Sequence, residues 1–334
     1  MINRKSISVY GIHLSIEFEG EKFGELIDRL TKNLSAVIQN SVRLKKAASI
    51  SLKLLLSGKI SIPKGSRLLS PEYALFKVLN WRGMIYLVYG DSVLQLDLQT
   101  GTAIGYFDEA IFKKPRPVCY SFLDSSIRIL LHSQGLFYLH AAALERQNIG
   151  YLFVAESGAG KTTNALHLVE KGWNYLSDDS VFLQGNGNKK IILHSIPSEF
   201  RLNGINENSR KHLLKHSFTV PNNDKHFIRM EKAYPAQYRK HCAPHIIIFP
   251  KIVNDGVSRF VPVGKIKALG LLMNESPLIF AKYHQNNNHL EVLKNLINQC
   301  VTYRLLAGRD LLHNPDKLFD LISSVPTTIC ENSK

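Results

Sequence analysis

The sequence predicts an α/β chain in two parts: a C-terminal strand–loop–helix core built around a Gly-rich turn, and a smaller α+β domain before it. Three observations carry that prediction. An apolar strand runs directly into SGAGKTT at 157–163, short runs of Val, Ile, Leu and Tyr alternate with turn residues between 75 and 108, and prolines and cations cluster at 113–117.

The bulk properties bound the answer. A length of 334 residues suits about two domains, and a composition 45% hydrophobic and 21% charged excludes disorder as the overall state. No apolar run approaches the roughly 18 residues of a membrane span, and the opening MINRKSISVYGIHLSIEFEGEKF interleaves charges where a secretory signal needs an unbroken apolar stretch. A cytoplasmic protein with no membrane partner is expected. Cys119, Cys242, Cys300 and Cys330 are scattered without a CxxC pair, so reduced thiols are expected instead of a disulfide framework or zinc site. Lys and Arg number 42 against 27 Asp and Glu, a formal charge of +15 that favours acidic partners.

In chain order, residues 7–18 read as a strand, and 23–55 as helix because Leu26, Ile27, Leu30 and Leu34 recur at helical spacing. Between 75 and 108, Trp81-Arg82-Gly83, Gly90-Asp91 and Thr100-Gly101 mark hairpin turns between short strands. Lys113-Lys114-Pro115-Arg116-Pro117 interrupts the periodicity, which places a domain boundary there: 1–115 and 116–334. Beyond it the pattern predicts a helix over 123–132, strands over 137–144 and 150–155, a helix over 161–171, and strand residues on both sides of Asp178 and Asp179.

The turn at 155–163 has the chemistry of a phosphate cradle. Gly158 and Gly160 clear side chains from the backbone N–H groups that a phosphate would rest on, and the following helix adds unpaired amides and its positive dipole end. Glu156, Ser157, Gly158, Ala159, Gly160, Lys161, Thr162 and Thr163 are the candidate nucleotide-binding residues, with Lys161 directed to the outer phosphates and the Thr162 hydroxyl to magnesium. The full pattern GxxxxGK[ST] has glycine where this chain has Ala155, a difference of one methyl group. Asp178 and Asp179 follow Lys161 by 17 and 18 residues, with a return turn at Gly172. Adjacent carboxylates push their pKa values apart, so one can hold magnesium while the other accepts a proton from a hydroxyl. In isolation such a pair reads as a turn or helix cap; the phosphate loop reverses that preference. His140, in an apolar strand, reads by pattern alone as a core histidine.

Taken together, LHAAAL (139–144), AESGAGKTT (155–163) and GWNYLSDDSVFL (172–183) resemble the HPr kinase/phosphorylase superfamily, and more narrowly the HPr kinase-related proteins of peptide-modification clusters, including kinases of lasso precursor peptides. The resemblance spans roughly residues 115–325; HIIIFPKI (245–252) and YRLLAGRDLL (303–312) add less specific likeness. It implies an HPr kinase-like catalytic domain, ATP and Mg2+ as cofactors, and transfer of the γ-phosphoryl group to a serine of a small protein or biosynthetic peptide. It implies His140, Lys161 and Asp179 as catalytic residues, Asp179 being the proton acceptor, and Asp178 and Thr162 as metal partners. HPr kinases proper carry a magnesium-binding glutamate in a segment that here reads PSEFRLNGI (197–205). Glu199 either takes the place of that metal ligand or is an ordinary loop charge, and the departure weighs against HPr as the acceptor. The family's subunit rings extend to a homo-oligomer here by analogy only.

Residues 201–259 are strongly basic, a surface for an acidic peptide or for nucleotide phosphates with Arg201 and Arg239 as candidate cations, or else a solvated insertion with Asn222-Asn223 at its tip. Two rival functions stand beside the peptide kinase. One keeps the chemistry with a free small molecule such as serine as acceptor. The other is a nucleotide-regulated ATPase or nucleic-acid-binding protein, against which stands the lack of aromatic-basic interleaving or a recognition helix.

Overall fold

The computed structural model describes residues 2–35, 49–56, 58–70, 75–113, 116–186, 188–196, 199–202, 207–220, 223–254, 256–276 and 286–325. The chain is mixed α/β and divides into two compact units, Met1–Phe137 with Leu278–Leu290, and Tyr138–Pro277 with Glu291–Lys334.

The first part of the chain forms β1 (Ile2–Val9), β2 (Ile12–Glu19), α1 (Glu21–Ser35), β3 (Ser49–Leu55), β4 (Arg67–Leu68), β5 (Lys77–Trp81), β6 (Met84–Tyr89), β7 (Ser92–Asp97), β8 (Thr102–Tyr106), α2 (Ala110–Lys113) and α3 (Arg116–Ser133). Its eight strands make one sheet in the order β1-β2-β3-β8-β7-β6-β5-β4. Two expectations are corrected here. The single strand over 7–18 is a hairpin, because Tyr10 and Gly11 take φ of 48° and 86° and reverse the chain in two residues. The helix over 23–55 ends at Ser35, and 49–55 is a strand: Ile50, Leu52 and Leu54 are buried at every second position, a period that only β structure satisfies. The hairpin turns at Arg82-Gly83, Gly90-Asp91 and Gly101 are present.

The division between units also falls later than the proline cluster. Pro117 lies in the first turn of α3, where proline is tolerated; Lys114 and Pro115 lie outside the described residues. α3 packs with the first unit, Phe122 meeting Phe107 and Phe76 edge to face at 5.6 and 5.4 Å.

Continuing along the chain come β9 (Phe137–Leu139), β10 (Ala141–Arg146), β11 (Ile149–Val154), α4 (Lys161–Glu170), β12 (Asn174–Ser177), β13 (Val181–Gly185), β14 (Ile191–Ser195), β15 (Phe200–Leu202), α5 (Glu207–Leu214), β16 (Ser217–Val220) and β17 (Asn223–Ile228). After these follow α6 (Met230–Ala233), β18 (His241–Cys242), β19 (Pro244–Ile252), β20 (Arg259–Pro262), α7 (Lys265–Asn274), α8 (Asn286–Gln299), β21 (Val301–Ala307), α9 (Arg309–His313) and α10 (Lys317–Ser323). They form sheets in the orders β12-β10-β11-β19-β21-β20, β18-β14-β13-β9 and β15-β17-β16.

The six-stranded sheet positions the site. β11 runs parallel to β19, which runs parallel to β21, while β10 lies antiparallel to both β11 and β12. The C-terminal ends of β11, β12 and β19 therefore open on the same edge as the start of β10. On one face of this sheet Tyr151, Phe153, Ile246, Ile248 and Leu305 pack with Leu166 and Val169 of α4 and with Trp173, all buried. Each such side chain contributes roughly 1.5–3 kcal/mol of burial, which fixes α4 against the sheet.

Among the described residues, no helix is long and apolar enough to cross a membrane. Cys119, Cys242 and Cys300 are free thiols, and Cys330 lies outside the described residues. The basic segment is largely structured and two of its cations are engaged within the fold: Arg210 makes paired bonds to Glu170 at 2.8 and 2.9 Å, and Arg229 covers Phe218. Asn222, expected at a loop tip, lies outside the described residues.

Candidate active site

β11 ends at Val154, and the chain turns through 155–160 into α4. Gly158 and Gly160 take φ of 88° and 86°, left-handed values that strain most other residues, and beyond its chain neighbours no heavy atom lies within 4 Å of the point where a Gly158 Cβ would stand. Gly160 begins α4 without a side-chain cap, so the first-turn amides have no partner within the helix. Buried Lys161 donates from Nζ back to the carbonyls of Ala155 and Glu156, the latter at 3.0 Å, which stiffens the loop around its own cation. An open glycine, unpaired amides and a buried ammonium fit a phosphate group.

β12 delivers the aspartates to the same edge. Ser177 pairs with Ala143 of β10, and Asp178 follows with 1% exposure. Thr162, one residue into α4, donates to Asp178 Oδ2 at 2.9 Å. A hydroxyl and a carboxylate are hard oxygen donors suited to magnesium. Glu199 stands one residue before β15, the strand that carries Arg201, and among the described residues there is no group of three or more His, Cys, Asp or Glu side chains arranged to hold a metal ion.

His140 interrupts what the pattern predicts as one strand. Its backbone N–H leaves the sheet and donates to the Glu275 carbonyl at 2.9 Å, so β9 ends at Leu139 and β10 begins at Ala141. Its ring then bridges two carboxylates, Nδ1 to Glu275 Oε2 at 2.6 Å and Nε2 to Asp179 Oδ1 at 3.1 Å. Glu275 is the residue that sequence reasoning missed. It follows the last residue of α7, 135 positions from His140, and is 8% exposed. The one available signal was a lone acid after the apolar run ALGLLMN.

The electrostatics follow from this geometry. His140 is pushed up to about 9, because its hydrogen bonds to Asp179 and Glu275 outweigh burial. The imidazolium therefore donates from both ring nitrogens at neutral pH. Asp178 is pushed up to about 7 by burial and by the charge of Asp179. Asp179 moves the other way: burial works to raise it, and the His140 hydrogen bond and charge, with Arg201 and Lys161, bring it below the usual carboxylate range. Burial lowers Lys161, opposed by Glu275, Asp179, Asp178 and Glu156. Two neighbouring carboxyls thus differ in protonation tendency near neutral pH, Asp178 favouring its proton and Asp179 its charge.

His140, Lys161, Thr162, Asp178 and Asp179 accordingly gather at one sheet edge, with Glu156, Ser157, Gly158, Ala159 and Gly160 in the loop beside them and Thr163 in the first turn of α4. Arg201, on β15, contributes positive charge to both aspartates. Arg239 does not join them. It lies 3.7 Å from Glu145, near the far end of β10, and also donates to the carbonyls of Ala236 and Tyr238.

No protein-family model matches the chain, and no curated protein matches it. Among solved structures it is similar to the Hpr(Ser) kinase/phosphatase from Coxiella burnetii, at 13% identity over 56% of this chain and 93% of that chain, with a TM-score of 0.29. A likeness of that size carries no functional assignment.

Proposed function

We propose that this protein is an ATP- and Mg2+-dependent kinase that phosphorylates a serine hydroxyl of a small protein or biosynthetic precursor peptide. One observation carries the reading: a buried lysine at the start of α4 stands in the field of Asp178, Asp179 and Glu275, with His140 bridging two of those three carboxylates. Bound Mg-ATP would supply the phosphoryl group and neutralise its charge. The first-turn amides of α4 and Lys161 would bind the phosphates, while Thr162 and Asp178 would hold the cation. Asp179, ionised at neutral pH, would accept the hydroxyl proton at its carboxylate, and His140 would hold that carboxylate in place through Nε2–H. The serine and the peptide rest on the resemblance of the three quoted motifs, and the charge of +15 is compatible with an acidic acceptor.

Incubation with Mg2+, γ-labelled ATP, HPr, a lasso-type precursor peptide and free serine tests the proposal. Label is expected in the peptide, lost by roughly 10²-fold or more in Lys161→Ala and in Asp179→Asn, because transfer depends on positioning and charge neutralisation. Asp179→Asn is expected to keep ATP binding. Label in free serine alone would move the acceptor to a small molecule; full turnover by either variant would remove the assignment of the site.

A further inference from the structure

A second charged group lies beside the phosphate loop, on the side away from the aspartates. In the six-stranded sheet β12 and β10 flank β11 on one side, and β19 and β21 flank it on the other. Arg304 sits in the middle of β21, opposite Phe249 of β19 and Val261 of β20. Strand alternation puts Arg304 and Phe249 on the face opposite Ile248 and Leu305, which pack with α4. Its Nε is buried and makes no hydrogen bond. A guanidinium N–H buried without a partner is costly, and a central strand offers many cheaper residues at that position.

The side chain lines a pocket of about 380 Å³ that reaches from the loop residues 155–159 across the ends of β19 to Leu271 and Asn274 of α7. That volume lies within the roughly 300–1,000 Å³ of small-molecule sites. Its walls combine apolar surface from Phe249, Ile252 and Leu271 with the Arg304 guanidinium and Lys251, the carboxylates of Glu156 and of Glu275, the His140 partner, and the Asn274 amide. A flat heteroaromatic ring with hydroxyl-bearing substituents suits these walls: the guanidinium plane stacks on an aromatic face, and the polar groups meet the hydroxyls.

We propose that this pocket receives the nucleoside half of the nucleotide, with Arg304 in contact with it; the inference rests on the phosphate-loop reading above. The nucleotide then lies across the loop, its nucleoside toward β19 and β21 and its outer phosphates toward Lys161 and the aspartates. Phosphates and nucleoside are held by separate residues.

Calorimetric titration of the full chain, in Mg2+, with ATP and with inorganic triphosphate separates the two halves. The wild type is expected to bind ATP more tightly than triphosphate. Arg304→Met, which keeps the length of the side chain, is expected to weaken ATP by about tenfold and to leave triphosphate within about twofold. Ile252→Asn changes a residue 58% exposed at the pocket and spares the core, so a selective loss of ATP affinity there is expected even if Arg304→Met folds poorly. Equal loss of both ligands, unchanged ATP binding in both variants, or a wild type that binds triphosphate as tightly as ATP would overturn the nucleoside assignment while leaving the phosphate loop intact. A wild type that binds neither ligand would overturn the phosphate-loop reading and this inference with it.

Discussion

Replacing Glu275 by Gln tests the electrostatic logic of the site most directly. The amide oxygen still accepts from His140 Nδ1, and the backbone bond from His140 N to the Glu275 carbonyl is untouched, so the change removes charge and little else. A charge-assisted bond of this kind is worth roughly 1.5–3 kcal/mol. At 1.36 kcal/mol per pKa unit that is roughly one to two units. His140, pushed up to about 9 in the native protein, is expected to titrate between roughly 7 and 8 in the variant. The stability consequence has a definite sign. A histidine raised above its ordinary 6.5 contributes stability that is fully present below 6.5 and lost as pH rises through about 9. The variant is therefore less stable by roughly 1.5–3 kcal/mol at pH 6, and the difference closes above pH 9. Heteronuclear NMR of the His140 ring measures the titration, and urea unfolding across pH measures the stability. A His140 that still titrates near 9 in Glu275→Gln, or a stability difference independent of pH, would refute the reasoning.

Asp178→Asn perturbs the other buried carboxyl. Because burial raises Asp178 to about 7, its native stability contribution is present below the ordinary 3.8 and lost as pH rises through 7. The asparagine lacks that slope, so thermal melts are expected to show the variant gaining on the wild type between pH 4 and 7, by at most roughly 4 kcal/mol, with no further gain above. Leu166→Ala opens a cavity between α4 and the sheet at a fully buried position and is expected to cost about 2–5 kcal/mol in urea unfolding, with no pH dependence.

Much of the site was legible locally. A strand, a glycine turn and a helix starting at lysine are consecutive in the chain, and the left-handed turn at Gly158 and Gly160 is a backbone property that the residue types announce. The hairpin turns at Arg82-Gly83 and Gly90-Asp91 were readable for the same reason. Where two periods competed, the reading failed: 49–55 follows a helix in a chain rich in leucine, and only burial at alternate positions separates the two patterns. Proline marks the start of a helix as well as a break between segments, and Pro117 starts α3, while the compact units divide after Phe137.

The sequence by itself determined the strand, glycine turn and helix at 150–170, the aspartate pair and their order, because these depend on neighbours a few residues apart. Tertiary structure alone decided that His140 bridges Asp179 and Glu275, that Arg239 turns to Glu145 instead of the site, and that Arg304 stands by the loop with its Nε unpaired. Those partners are separated by tens to more than a hundred residues, and burial and charge act through space, so a side chain's protonation and pairing are set by which strands become neighbours in the sheet.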